Sequence, residues 1–282
     1  MSLVVDSHAH VMSADRARYP TRPLEPEVEA RCFADPMTAE RLLADMDEAG
    51  VGAALLVQRG QIYGFDNDYV CDAARVAPKR LRPVVAIDAR AEDCVEQARA
   101  WIARGAVGLR LMGPMQGGAL DWLAGDRAAA LWRFAADEAV PVCVHFFPDK
   151  RAEGLVRLGR MLDHCGPAPV VIDHLSNAPI ASAEDGIDTL LASFADRGHV
   201  ALKFSTIPLA RLRDEGIDAG ALLGRFVAAF GADRLMWGSD IAQSPGSYAE
   251  LAAIGREATA GLDAETRGWL RGGTAARVYR LP

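Results

Sequence analysis

The 282-residue chain lacks most of the features that mark special classes of protein. No stretch comes near the ~20 consecutive apolar residues that a membrane-spanning helix needs, so no membrane partner is expected. The N-terminus has no basic start followed by an apolar core; no signal peptide is expected, and the chain reads as cytoplasmic. The five cysteines (Cys32, Cys71, Cys94, Cys143, Cys165) are scattered, odd in number and without a Cys-x-x-Cys pair. That argues against a disulfide framework or zinc ribbon and for reduced, mostly buried thiols. A net charge of −7 with no basic cluster argues against nucleic acid. No linker, low-complexity tract or second composition regime appears, so residues 1–282 are read as one domain. No glycine-rich phosphate turn follows the first strand, as a doubly wound nucleotide-binding sheet would require.

What is present is a repeating alternation. Short runs rich in valine, isoleucine and leucine occur at 3–8, 53–57, 83–87, 107–111, 141–145, 169–174, 200–204 and 234–238. They are apolar on both faces, as parallel strands covered by helices should be. Helical patterns are predicted at 38–49, 67–76, 92–104, 126–138, 152–165, 182–197, 218–230, 247–258 and 263–279. Thr38 reads as a cap and Gly50 as a stop for the first of these. Strict alternation over this length predicts an α/β (β/α)8 TIM barrel. The long connection 11–37 carries Pro20, Pro23, Pro26 and Pro36 with little periodicity, and reads as a lid or wall over the barrel mouth. The Gln116-Gly117-Gly118 turn reads as a flexible loop rather than a phosphate cradle.

The polar groups fall at one end of the predicted barrel. His8 and His10 are two residues apart at the end of the first strand, so their side chains point the same way. Arg110 lies in the fourth strand, His145 ends the fifth, Asp173 and His174 end the sixth, Lys203 lies in the seventh and Asp240 ends the eighth. Barrel enzymes carry their chemistry at that end. A guanidinium inside an apolar strand must find an anion. For Arg110 the candidates are a substrate carboxylate, with Arg59 and Lys203 adding to the pocket, or an internal salt bridge to Asp88. His164 and His199 read as structural or surface residues, and Ser244 or Ser247 as the cap of the helix that follows.

These residues resemble the amidohydrolase superfamily, and within it the branch of pyrone-dicarboxylate and sugar lactonases. The matching features are Asp6-Ser7-His8-Ala9-His10, His145, Asp173-His174-Leu175 and Trp237-Gly238-Ser239-Asp240. Tyr63-Gly64-Phe65-Asp66-Asn67, Gly108-Leu109-Arg110 and Leu202-Lys203-Phe204-Ser205 are similar to further segments of that branch, over the whole chain. After Asp240 the chain reads Ile241-Ala242-Gln243 where the branch has Trp-Pro-His, which leaves the substrate open.

The resemblance implies a hydrolase opening a lactone, ester or amide of a small carboxylated molecule. Asp240 would activate water, His8, His10 and His174 would share the catalysis, and Arg110, Arg59, Lys203 and Tyr63 would bind substrate. One divalent metal, zinc by the donor types, would sit on His8, His10, His145 and Asp240 in members that use one. Without metal, the histidines and a lysine would polarise the carbonyl. Arg110 stands where a second metal would need a bridging ligand, so a binuclear centre is not expected. A metal-dependent decarboxylase, a lactone isomerase and a non-catalytic small-molecule-binding barrel are the alternatives. Leucines and tryptophans on outer helices leave room for a homo-oligomer.

Overall fold

The computed structural model describes residues 3–24, 31–112, 119–182, 184 and 186–282. Eight parallel strands form a barrel in chain order: β1 (Val5–Ala9), β2 (Ala53–Val57), β3 (Leu81–Ala86), β4 (Gly108–Leu111), β5 (Val142–Val144), β6 (Val170–Ile172), β7 (Val200–Ser205) and β8 (Leu235–Gly238). Each lies within two residues of its expected place. Alternate strand residues divide the core. Leu109, Val142, Val144, Val170, Ile172, Leu202 and Phe204 pack outward against the helices. Val5, Leu55, Val57, Val84, Val171, Ala201 and Met236 fill the lumen, closed from below by Ala275 and Tyr279 of the last helix.

Most helices follow the sequence reading. Thr38 caps Ala39–Ala49 by accepting from Arg41 N–H, and Gly50 ends it in the left-handed conformation. Ser247 and Glu250 form a capping box on Tyr248–Thr259. The expected helix 182–197 is a correction. Among the described residues only Thr189–Ala192 is α-helical there, because Gly186 adopts a positive φ and Asp188 starts a new helix by capping Leu191 N–H. Helices Gly60–Tyr63 and Thr206–Asp214 were not expected. The last helical stretch contains a π turn, Trp269–Gly273, which lays Gly272 against β1. A Cβ at Gly272 would meet the Leu3 carbonyl oxygen at 2.0 Å, so only glycine fits there. The turn 116–118 lies outside the described residues, as does part of the connection 11–37.

The strands β8 and β1 meet differently from the other seven neighbours. Among the described residues they share only an isolated bridge, Ala9 with Ile241, instead of a ladder. Side chains close this seam. Asp6 accepts from His8 N–H (3.0 Å), Ser239 N–H (2.9 Å), Ser239 Oγ (2.5 Å) and Tyr248 Oη (3.1 Å). Ser7 Oγ donates to Trp237 O (2.6 Å), and Asp240 N–H donates to His8 O (2.7 Å). Gly238 allows the approach, since a Cβ there would lie 2.5 Å from that of His8. A bulge between Asp6 and Ala9 adds one residue against β2 and re-aims the strand, so that Val5 and His8 both face the lumen.

Candidate active site

The seam sets the first half of the site. His8, His10 and Asp240 are all buried, with His8 Nε2 3.6 Å and His10 Nε2 3.4 Å from Asp240 Oδ1. Ser244 Oγ donates to the other Asp240 oxygen at 3.0 Å. Burial alone would raise the Asp240 carboxyl, but the bond to His10 and the neighbouring imidazoles hold it well below the usual range. It is therefore an ionised acceptor near neutral pH. Its backbone has φ of 56°, a left-handed conformation tolerated best by short polar residues.

The strands β4 to β7 supply the second half. His174 follows β6 in a left-handed turn in which His174, Leu175, Ser176 and Asn177 all have φ between 50° and 56°. Each such residue costs about 1–2 kcal/mol. The surroundings fix the turn: Ser205 Oγ lies 2.6 Å from His174 Nδ1, Arg151 Nε donates to Ser176 Oγ (2.9 Å), and Asn177 Nδ2 donates to Phe146 O (2.7 Å). The imidazoles form a chain, with ring centres 4.9 Å apart for His10 and His8, 4.9 Å for His8 and His174, and 5.1 Å for His174 and His145. Burial lowers all four below the ordinary 6.5, His145 to about 3.

Beneath His8 lies a buried ion cluster. Lys203 Nζ is 3.3 Å from Asp173 Oδ1 and 3.2 Å from His8 Nδ1. Arg110 Nη2 is 3.6 Å from Asp173 Oδ2, and Cys143 Sγ donates to Asp173 Oδ1 at 2.9 Å. Burial disfavours charge on Asp173, but Lys203, His8 and Arg110 hold its carboxyl well below the usual range. Burial likewise opposes the Lys203 charge, and Asp173 overrides it, so the amine stays an ammonium. Burial pushes the Cys143 thiol up to about 12, so it remains protonated.

Several expectations change here. Arg110 pairs with Asp173 and donates to Gln58 O (2.9 Å); Asp88 pairs with Arg90 (2.7 Å). The Arg110–Asp88 bridge is thereby corrected: Arg110 lies across the lumen from Asp173. Lys203 has no exposed surface, and its ammonium is taken up by Asp173, His8 and Cys143. Arg59 donates to Gln243 Oε1 (2.7 Å) and to Ala242 O, fastening the loop after β8 to the end of β2. Tyr63 Oη accepts from Ser13 N–H at 2.9 Å. His145 is half-buried, packed against His174, and lies outside the cluster of His8, His10 and Asp240 ligand atoms that lie within 4.8 Å of one another.

Asp6 and Cys143 were not singled out. Cys143 could have been, since it precedes His145 by two residues in β5 and so shares its face. Asp6 could not, because the bulge breaks that same rule in β1.

Comparison with known proteins accords with this geometry. The profile of the Amidohydrolase family matches residues 5–281. An L-fucono-1,5-lactonase of Burkholderia multivorans is 30% identical over 305 residues, covering 100% of this chain and 97% of that one. The crystal structure of a 2-pyrone-4,6-dicarboxylic acid hydrolase from Pseudomonas putida, assigned that activity provisionally, superposes with a TM-score of 0.74 at 26% identity, covering 100% and 98%. An amidohydrolase of Burkholderia multivorans with bound zinc superposes with a TM-score of 0.78 at 24% identity, covering 100% of both chains. No helix among the described residues is long and apolar enough to cross a membrane. From the match over nearly its whole length, the chain belongs to the amidohydrolase family and is an enzyme of the hydrolase class.

Proposed function

We propose that this enzyme opens a lactone of a small carboxylated molecule by water attack at the barrel mouth. The observation that carries the reading is a buried, ionised Asp240 oxygen facing two imidazole nitrogens at 3.4 and 3.6 Å. Lactone opening needs a base for the water and positive potential on the carbonyl oxygen. Asp240 Oδ1 takes the water's proton, and Ser244 holds the carboxylate in place. The imidazoles of His8 and His174 face the same space and polarise the carbonyl. The Nε atoms of Arg110 and Arg59 are buried without hydrogen-bond partners, which supports their use on a substrate carboxylate.

The donor set fits one divalent metal. His8 Nε2 and His145 Nδ1 are buried without hydrogen-bond partners, and nitrogen with carboxylate is a zinc-type set. His8, His10 and Asp240 would hold it, and the family resemblance adds His145 to the set. When bound, a metal would lower the pKa of a water ligand to about 7 and polarise the carbonyl. Asp240 and the arginines keep their tasks in either case.

The test is proton release at constant pH over pyrone carboxylates and 1,5-sugar lactones, with and without chelator, monitoring carbon dioxide in parallel. Base consumption matched to ring opening supports the reading. Carbon dioxide release without it would replace this reading with decarboxylation.

A further inference from the structure

The end of the barrel opposite the mouth carries a second cavity. Its volume is about 440 Å³, within the ~300–1,000 Å³ of small-molecule sites. It lies beside the first residues of β3, β4 and β5, the end of such barrels that serves stability rather than chemistry. Ile102, Phe134, Val140 and Val278 supply apolar walls, and Tyr279, which closes the lumen from below, lines it as well. Its charge is one-sided: Arg82, Arg99 and Arg280 stand against a single carboxylate, Glu138. Arg99 takes that carboxylate, Nη1 to Oε1 at 3.2 Å, with its guanidinium 4.6 Å from the Phe134 ring centre. Arg82 and Arg280 have no hydrogen-bond or ion-pair partner among the described residues. This local excess of positive charge runs against the net charge of −7.

The backbone gives a second, independent observation. Among the described residues, eight other than glycine have a positive φ. Six of them, His174 to Asn177, Asp240 and Ala242, belong to the loops of the mouth. The other two, Ala139 at 49° and Arg280 at 51°, both line this cavity. Each follows the end of a helix, where glycine would remove the cost, as Gly50 does after Ala39–Ala49. Alanine and arginine instead keep side chains on the cavity wall, and such strain gathers at functional sites.

We propose that this cavity binds a small monocarboxylate with an apolar body. Arg82 and Arg280 take the carboxylate, and Phe134 and Val140 shield the body from water. Guanidinium N–H groups match a carboxylate in paired hydrogen bonds, and burial of the body adds the hydrophobic term. A cation is repelled by the unpaired arginines, and a hydrated anion without a body gains nothing from the walls. The site is separate from the mouth and stands whether or not the lactone reading holds.

The test is methyl NMR of the full chain titrated with octanoate, with octanol and acetate as the uncharged and bodiless controls. Octanoate should shift the methyls of Ile102, Val140 and Val278 in a saturable way, with a dissociation constant of about 1 mM or tighter. The controls should bind about tenfold more weakly, and so should octanoate in the double variant Arg82→Gln with Arg280→Gln. That variant should keep the wild-type thermal midpoint, since neither arginine is paired. No saturable shift in the wild type, or shifts confined to Val11 and Ile241 at the mouth, overturns the proposal without any variant. Equal binding of octanol, or unchanged octanoate affinity in the double variant, overturns it equally. Shifts of the same methyls with protein concentration alone would assign the cavity to a second copy of the chain instead.

Discussion

The two sides of the barrel mouth are built by different physics. On the side of β8 and β1, distance is set by hydrogen bonds around Asp6 and by the close approach at Gly238, so the backbone itself spaces His8 and His10 from Asp240. On the side of β4 to β7, the organising force is charge: Arg110, Lys203 and the Cys143 thiol surround Asp173 and are buried with it. The first arrangement fixes geometry and the second fixes protonation. A catalytic carboxylate needs both, since a base misplaced or neutralised is equally inactive.

The largest way to break the contrast is at the carboxylate both sides serve. Asp240→Asn should lower kcat/KM for lactone opening by about 10³-fold. The thermal midpoint should hardly move, because asparagine tolerates the left-handed backbone at φ of 56°. Retention of more than a tenth of the activity would remove Asp240 from the role of base.

Next comes the charged side. Asp173→Asn leaves Lys203 and Arg110 without their buried anion and should cost about 3–5 kcal/mol in urea unfolding. The double variant Asp173→Asn with Lys203→Met should recover part of that loss. Additive losses would show that the two charges do not act as a pair.

The hydrogen-bonded side should respond more mildly. Asp6→Asn keeps the shape but replaces one acceptor oxygen with a donor, at a cost of about 1–3 kcal/mol. Its signature is a fall in kcat with little change in KM, since the seam spaces the reacting groups rather than binding substrate. A change confined to KM would refute that assignment.

The smallest effect per step is on pH dependence. His145 titrates near 3 in the fold against an ordinary 6.5, so the unfolded chain binds its proton first as the pH falls. Its contribution is full above about pH 6.5 and is lost toward pH 3, by up to about 1.4 kcal/mol per pH unit. Unfolding free energies between pH 6.5 and 4.5 should therefore slope less steeply in His145→Gln than in wild type.

The barrel was legible because period and chemistry agree: apolar runs at strand spacing gave all eight strands, and the ligand-type residues fell at their C-terminal ends. The roles of His8, His10 and Asp240 as neighbours were readable from strand alternation and order. Lys203 was read as facing substrate, because a sequence does not show how deep in the lumen a residue lies; Lys203 is two residues before the end of β7 and sits below His8. The left-handed turn His174 to Asn177 carries no glycine and so leaves no local signal, being imposed by Ser205, Arg151 and Phe146 from elsewhere in the chain. The bulge in β1 was hidden for the same reason: pairing with β2 creates it.

The seam has a further consequence in the order of assembly. It joins Ser7 to Trp237 across 230 positions of chain, whereas every other strand pair joins successive segments. Loop closure of that span is the slowest contact to form and the last to be rewarded. Asp240, the proposed base, and the two histidines His8 and His10 lie on opposite sides of it, so no partly folded sheet, however many strands it has paired, brings them together. Catalysis in this barrel reports completion of the fold itself.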